Sequence, residues 1–238
     1  DGTAQSNVQE YGPKTGRTEM IRQIDMNEIS DGRLYRADDM VKAGCGGCEG
    51  CHACCTGMGN SIVLDPYDIY SMEKGLNTGF AKLLNNKIEL NAVDGIILPN
   101  MKLSGADERC GFLDSDGRCT IHGFRPGICR LFPLGRIFEN GGHMFFTQVN
   151  ECTKHTRTKV KVKNWLDIPD FSAYDRYTDD WHYFVKDVVE YVRNCGSEQT
   201  VSAVCTVLLK IFYFENYDTE ADFYSQFYLR LNKVKQYM

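Results

Sequence analysis

The densest chemistry-bearing stretch of the chain is a run of cysteines at residues 45–55, with the sequence CGGCEGCHACC. Thiolate sulfur is a strong metal ligand, and a Cys-x-x-Cys spacing allows two sulfurs to reach one ion. The glycines between them allow main-chain N–H groups to turn toward the sulfurs. Disulfides within the run are disfavoured, because adjacent cysteines such as Cys54 and Cys55 rarely satisfy disulfide geometry. The run therefore predicts a metal or iron–sulfur site.

Four further cysteines lie between residues 110 and 152, so two remote parts of the chain supply sulfur. With Cys45 left aside, each part supplies four thiolates, enough for one tetrahedral Zn²⁺ or one [4Fe–4S] cluster. Because Cys54 and Cys55 point in different directions, they need not bind the same metal. A cysteine from one part of the chain can then bind the metal held mainly by the other part, so no sulfur is assigned to a particular metal. The predicted metal ligands are Cys48, Cys51, Cys54, Cys55, Cys110, Cys119, Cys129 and Cys152.

Three cysteines remain outside this ligand set. Cys45 is interpreted either as a spare ligand or as a free thiol. Cys195 falls at the end of a predicted helix, and Cys205 shares a predicted helix face with apolar residues. Both are predicted to act as small apolar side chains, which is the usual role of an isolated cysteine.

Two arginines, Arg125 and Arg130, flank Pro126 and Cys129 in a predicted tight turn. A planar guanidinium can donate to cluster sulfurs or hold a carboxylate or phosphate in a bidentate manner. We therefore name both as candidate cofactor-binding residues. The alternative is that they tie the turn to main-chain carbonyls. No Ser/His/Asp or Cys/His arrangement outranks metal ligation, so no catalytic residue is identified.

Composition excludes several other classes of protein. The 238 residues carry a net charge of −5, which does not favour nucleic acid as a partner. No apolar run approaches the ~18–20 residues that span a bilayer, so no membrane segment is predicted. The polar start of the chain lacks an export signal, which predicts a cytoplasmic protein with reduced thiols. The alternative, a secreted disulfide protein, is disfavoured by an odd count of 11 cysteines.

The elements that position these residues change in character along the chain. Residues 1–18 are polar and predicted to be disordered or a tag, and residues 19–163 form the predicted cysteine-cluster domain of short strands and hairpins. Within it, a helix is predicted to begin at Asp65-Pro66 and end at Gly75, and a hairpin turns at residues 140–142. Residues 164–238 show helical spacing, with a stop at Gly196. The prediction is an α+β fold, in which a loop- and hairpin-rich metal-binding region packs on a C-terminal helical set.

A resemblance to a known family rests on two motifs. The first is the Cys-x-x-Cys-x-x-Cys-Cys run at residues 48–55, and the second is CGFLDSDGRCTIHGFRPGICRLFP at residues 110–133, followed by Cys152. These resemble the YkgJ-type cysteine-cluster proteins, a zinc- or iron-chelating family. His122 stands where the family usually has tyrosine, and Cys45 is an additional cysteine. The family includes flagellin lysine N-methylases, which implies S-adenosylmethionine in some members, although this chain lacks a glycine-rich nucleoside-binding loop.

The sequence therefore predicts an iron–sulfur protein with one or two [4Fe–4S] clusters and a redox or cluster-dependent modifying role. One alternative is an S-adenosylmethionine-dependent enzyme like the protein lysine N-methylases, and another is a structural zinc protein that binds a partner. An enzymatic role, as a transferase or an oxidoreductase, stays open. The expected partner is a protein substrate or a redox protein.

Overall fold

Short antiparallel hairpins make up the sheet content of the protein. The computed structural model describes residues 29–46, 48, 51–84, 86–149, 151–154 and 156–236, so the predicted disorder or tag at residues 1–18 lies outside the described residues. The strands are β1 (Met40–Gly44), β2 (Ile88–Val93), β3 (Ile96–Met101), β4 (Leu103–Ser104), β5 (Arg109–Cys110), β6 (Leu134–Glu139), β7 (Gly142–Thr147) and β8 (Thr158–Lys161). In the described residues they form four two-stranded sheets, β1–β8, β2–β3, β4–β5 and β6–β7.

Helices surround these hairpins and dominate the C-terminal part. The α-helices are α1 (Pro66–Leu76), α2 (Phe80–Leu83), α3 (Gly127–Leu131), α4 (Val162–Leu166), α5 (Phe171–Cys195), α6 (Glu198–Leu209) and α7 (Phe223–Lys235). Single 3₁₀ turns lie at Ala53–Cys55 and His122–Phe124, and a π-helical turn at Lys210–Phe214 continues α6. The fold is mixed α+β with a C-terminal helical set, as predicted. No helix of the described residues is long and apolar enough to cross a membrane.

The β1–β8 sheet is the long-range connection that matters most for the cysteines. It pairs Gly44, the residue before Cys45, with Thr158, six residues after Cys152. A β-carbon on Gly44 would overlap the Thr158 hydroxyl, so the two strands approach closely at this point. The sheet therefore brings the start of the first cysteine run close to the segment that follows the last cysteine of the cluster.

Local signals in the sequence correctly predicted several element ends. The β6–β7 hairpin turns at Asn140 and Gly141, which have positive φ angles of 54° and 80°, as a two-residue turn of type I′ requires. Helix α1 begins at Pro66 after a capping box in which Asp65 and Asp68 each accept the other's main-chain N–H. Gly196 ends α5 with φ 61°.

The predicted end of α1 at Gly75 is wrong. The helix continues to Leu76, and Asn77 ends it in the left-handed conformation with φ 50°, which asparagine tolerates better than most residues. Gly75 is needed for packing instead. A β-carbon at this position would lie within 2.6 Å of three atoms of the Phe124 ring. The glycine thus allows α1 to approach the turn that precedes Cys129.

One continuous core of buried side chains extends from the hairpins into the C-terminal helices. Trp181 of α5 packs edge-on against Phe212, with ring centroids 5.1 Å apart. The Tyr213 hydroxyl donates to the main-chain oxygen of Leu64 over 3.1 Å, and so connects the π-helical turn to the residues before α1. The helical set is therefore a scaffold for the cysteine-rich part, and the division of the chain at residue 163 stays a prediction.

Candidate metal centre

Nine cysteines of the chain are half-buried free thiols, and they come from the two parts of the chain, residues 45–55 and 110–152, that the sequence singled out. They are Cys45, Cys48, Cys51, Cys54, Cys55, Cys110, Cys119, Cys129 and Cys152. Cys205 is buried on α6, where its sulfur lies 3.3 Å from the main-chain nitrogen of Ile97, which donates to it. Cys195 is exposed at the end of α5, so its predicted packing role is wrong: in the last turn of this helix Val192 faces the core and Cys195 faces solvent.

One set of these sulfurs lines a shared cavity. Its walls include the side chains of Phe132, Pro133 and Trp165. Five cysteines line this cavity: Cys45, Cys48, Cys51, Cys54 and Cys152. We call four of them, Cys45, Cys48, Cys51 and Cys152, the first sulfur group. The Sγ atoms of Cys45 and Cys48 lie 3.6 Å apart. Trp165 is held in place by its indole N–H, which donates to the main-chain oxygen of Leu131 over 3.3 Å.

The second sulfur group consists of Cys55, Cys110, Cys119 and Cys129. These thiols are close enough that the charge of one raises the pKa of another. Burial raises the pKa of Cys110 and of Cys119, and the Cys54 charge adds to it in both cases. Burial also raises the pKa of Cys129, followed by the charges of Asp68, Cys110, Cys54 and Cys119.

Cys54 lies between the two groups. A hydrogen bond with Cys55 lowers the pKa of Cys54 to about 7, and the Arg125 charge acts in the same direction. The same hydrogen bond is the largest cause that raises the pKa of Cys55. Burial, with the nearby Cys45 thiol, raises the pKa of Cys48 to about 12. Most of these thiols are therefore neutral without metal, and metal binding has to release their protons.

Main-chain N–H groups already point toward two sulfurs of the second group. The N–H of Phe112 stabilises the thiolate form of Cys110, and the N–H of Ile121 does so for Cys119. N–H groups directed at sulfur are an arrangement that proteins use to tune iron–sulfur clusters. The loop that carries them is fixed by the Asp114 side chain, whose Oδ1 accepts from the N–H groups of Asp116 and Arg118 over 2.9 Å and 2.8 Å.

The two candidate arginines differ in what they contact. The Arg130 guanidinium donates to main-chain oxygens of Arg125 (3.1 Å), Asp167 (2.9 Å), Leu166 (3.4 Å) and Gly123. It is 8% exposed, and the structure therefore places it where it ties α3 to the end of α4. Its candidate role at a cofactor stays a prediction, but its donors are already engaged in the fold.

Arg125, in contrast, faces the sulfurs. Its positive charge opposes the burial that raises the pKa of Cys48 and of Cys119, and it adds to the hydrogen bond with Cys55 that lowers the pKa of Cys54. It contacts His122 through one terminal nitrogen, while its buried Nε has no hydrogen-bond partner among the residues that the structure describes. A cation in this position offsets the negative charge that thiolate ligands bring to a metal centre.

The most important residue that the sequence analysis missed is Asp68. Its side chain is 3% exposed on α1, and Oδ1 accepts a hydrogen bond from the N–H of Gly127, the first residue of α3. Its charge also raises the pKa of Cys129 two residues further on. The spacing of Asp65 and Asp68 is that of a capping box, so the sequence could have indicated that Asp68 caps the start of α1. Nothing in the sequence connects Asp68 with Gly127.

The donor set fits a thiolate-bound metal centre. Nine thiols are free and half-buried, five of them line one cavity with Phe132 and Trp165, and two others receive main-chain N–H groups. In the part of the chain that the structure describes, no three His, Cys, Asp or Glu side chains enclose a position for an ion. The sulfurs therefore have to move closer together when metal binds. These features define a cysteine-cluster metal-binding protein.

Comparison with known proteins agrees with this class. Residues 47–158 match the family model described as “CxxCxxCC: Putative zinc- or iron-chelating domain”. The match confirms the resemblance found in the sequence, over a little less than half of the chain. All eight predicted ligands lie inside the matched residues, and Cys45 lies two residues before them. No curated protein and no solved structure matches the chain.

Proposed function

We propose that this protein binds iron as [4Fe–4S] clusters at the two adjoining sulfur groups and uses them in a redox reaction. The observation that carries the proposal is a cavity lined by the free thiols of Cys45, Cys48, Cys51, Cys54 and Cys152. The thiols of Cys55, Cys110, Cys119 and Cys129 supply a second set, whose charges act on one another and on Cys54. Two adjoining sets of four thiolates are the ligand arrangement of two-cluster ferredoxins. A cluster supplies one-electron chemistry to such a site.

The surroundings of the sulfurs support a redox role. Phe132, Pro133 and Trp165 line the cavity of the first sulfur group and give it an apolar wall. Arg125 places a positive charge near thiols of both groups, and main-chain N–H groups point at Cys110 and Cys119. Solvent exposure, hydrogen bonds to sulfur and net charge are the factors by which a protein sets the potential of an iron–sulfur cluster.

A second candidate, a zinc-binding structural protein, is favoured by one distance. Metal–sulfur bonds of ~2.3 Å in a tetrahedral zinc site place neighbouring sulfurs about 3.8 Å apart. The 3.6 Å between the sulfurs of Cys45 and Cys48 is close to this value. In a [4Fe–4S] cluster each thiolate binds a different iron, so its sulfurs stand farther apart.

Analysis of the purified metal centre distinguishes the two candidates. The protein is purified without oxygen, and iron, zinc and acid-labile sulfide are measured per chain, together with the EPR spectrum after reduction. Iron and sulfide in equal amounts, with a reversible reduction, are the expected result. Zinc without sulfide would overturn the iron–sulfur proposal in favour of the structural candidate.

A modifying enzyme is tested on the same sample. Each sheet of the described residues has two strands, so a doubly wound parallel nucleoside-binding sheet is not among them. S-Adenosylmethionine is therefore supported only by the resemblance to the lysine N-methylases. Titration with S-adenosylmethionine is expected to leave the EPR spectrum of the reduced cluster unchanged. A perturbed spectrum would favour the methylase-like alternative over a redox protein.

A further inference from the structure

Cys45 is the sulfur of the cluster that neither the family model nor the predicted ligand set includes. The matched residues begin at residue 47, whereas Cys45 directly follows β1. Its thiol is half-buried like those of the eight predicted ligands. It therefore occupies the environment of a ligand, although it lies outside the motif that defines the domain.

The fold holds Cys45 against another predicted ligand. Its sulfur lies 3.6 Å from that of Cys48, a separation that suits two thiolates on one centre and exceeds the length of a disulfide. The N–H of Cys51 donates to the main-chain oxygen of Cys48 over 3.0 Å, which turns the chain back toward the same cavity. Three sulfurs of one short segment thus converge on one side of the cavity.

Cys152 lines the same cavity from a remote part of the chain. The pairing of Gly44 with Thr158 places the residue before Cys45 next to the strand that follows Cys152. The sulfur of Cys51 lies 3.6 Å from the hydroxyl of Thr153, the neighbour of Cys152. Both segments that carry the first sulfur group are therefore fixed to each other by contacts between remote parts of the chain.

We propose that Cys45 is the fourth thiolate ligand of a metal centre formed with Cys48, Cys51 and Cys152. This inference rests on the proposed metal-binding function. The 3.6 Å between the sulfurs of Cys45 and Cys48 suits a tetrahedral zinc ion as it stands, whereas an iron–sulfur cluster requires the two sulfurs to move apart. Cys54, which also lines this cavity, is then left to the second sulfur group beside its chain neighbour Cys55. The strand pairing β1–β8, and not the four-cysteine motif alone, completes the first site.

Metal content of matched variants tests the inference. We compare Cys45→Ser with Cys195→Ser, which removes an exposed thiol at the end of α5, and with Cys152→Ser, a predicted ligand. Cys45→Ser and Cys152→Ser are each expected to lose about half of the metal that the wild type holds, while Cys195→Ser loses none. Metal content in Cys45→Ser equal to that of Cys195→Ser, with an unchanged spectrum, would overturn the proposal. If Cys54→Ser lost half of the metal and Cys45→Ser kept all of it, the fourth ligand would be Cys54 and the proposal would be overturned.

Alkylation of the wild-type protein provides a test that does not depend on a variant folding. Iodoacetamide is added to metal-loaded and to metal-free protein, and each cysteine is quantified by mass spectrometry. Cys45 is expected to be protected in the loaded protein and to react after metal removal, whereas Cys195 reacts in both. Reaction of Cys45 in the loaded protein at the rate of Cys195 contradicts its role as a ligand. Zinc without sulfide in the wild type would overturn only the iron–sulfur assignment, and a protein without any bound metal would overturn both.

Discussion

The buried carboxylate of Asp68 accepts a hydrogen bond from the main-chain N–H of Gly127 over a distance of 2.7 Å. Asp68 lies on α1, which packs on the C-terminal helices, and Gly127 begins α3, which carries Cys129. The second oxygen of the carboxylate accepts the N–H of Asp65 over 3.1 Å. One side chain thus starts its own helix and anchors the turn that presents a candidate ligand.

Replacement of Asp68 by alanine is expected to lower the free energy of unfolding by about 2–4 kcal/mol, because the N–H groups of Gly127 and Asp65 both lose their acceptor. Urea denaturation measures this change. The control is Asp222→Ala at the start of α7, where an exposed carboxylate caps its own helix by accepting from the N–H of Ser225, at 2.7 Å. The control should cost about 1 kcal/mol, as helix caps usually do. Equal costs for both variants would show that the contact with Gly127 contributes nothing beyond a cap.

Gly127 and Gly123 form a natural pair of test positions in the same turn. A β-carbon on Gly127 would overlap the Tyr174 hydroxyl, whereas one on Gly123 would meet no atom within 4 Å. Gly127→Ala is therefore expected to destabilise the protein by about 1–3 kcal/mol, and Gly123→Ala to be nearly neutral. Tyr174→Phe in the Gly127→Ala background should restore part of the loss, as measured by thermal unfolding. A Gly127→Ala protein with wild-type stability would contradict the close approach of these residues.

Arg130 is expected to act through the fold and not through a cofactor. Arg130→Lys should lower the free energy of unfolding by about 1–3 kcal/mol, because an ammonium cannot reproduce the fork that reaches main-chain oxygens of both Arg125 and Asp167. The exposed Arg118 provides the control, and Arg118→Lys should change nothing. If Arg130→Lys kept full stability but bound metal more weakly, Arg130 would instead serve the metal centre directly.

Trp165 provides an internal reporter of metal loading. It lines the cavity of the first sulfur group, while Trp181, the other tryptophan of the chain, is buried among aromatic rings of the helical core. In Trp181→Phe protein, removal of metal is expected to increase the remaining fluorescence, because an absorbing cluster next to an indole quenches it. In Trp165→Phe protein the increase should be smaller. The same response in both variants would place the metal away from Trp165.

The stability of the protein should also depend on the ionisation of Glu73. Burial raises the pKa of Glu73 above its ordinary value of 4.5, although the N–H of Phe80 and the charge of Arg230 oppose the shift. A raised pKa in the folded state means that a stabilising contribution is present below the unfolded pKa and is lost as pH rises through the folded pKa. Glu73→Gln keeps an oxygen that can accept the Phe80 N–H at 2.7 Å and removes the charge.

Relative to the wild type, Glu73→Gln is therefore expected to gain stability as pH rises from about 5 to about 8. Urea unfolding at several pH values measures the difference between the two proteins, in which the pH dependence of other groups cancels. Glu220→Gln, at an exposed position, is the control and should show no such trend. A difference for Glu73→Gln that does not change with pH would show that its carboxylate ionises freely in the folded protein.

The sequence by itself determined the features that depend on neighbouring residues. The turn at Asn140-Gly141, the start of α1 at Pro66 and the stop at Gly196 all follow from backbone preferences of single residues, and each was predicted correctly. The class of metal-binding protein followed from residue chemistry, because the Cys-x-x-Cys spacing of Cys48 and Cys51 is typical of metal ligands.

The tertiary structure decided what depends on residues that are far apart in the chain. The place of Cys45 in the first sulfur group depends on strands β1 and β8, which are more than a hundred residues apart and carry no local signal for pairing with each other. The hydrogen bond from Gly127 to Asp68 and those from Arg130 to the end of α4 likewise exist only after the helices have packed. Such contacts depend on the free energy of the whole fold, because the entropy lost in bringing remote segments together is recovered only through many burial interactions at once.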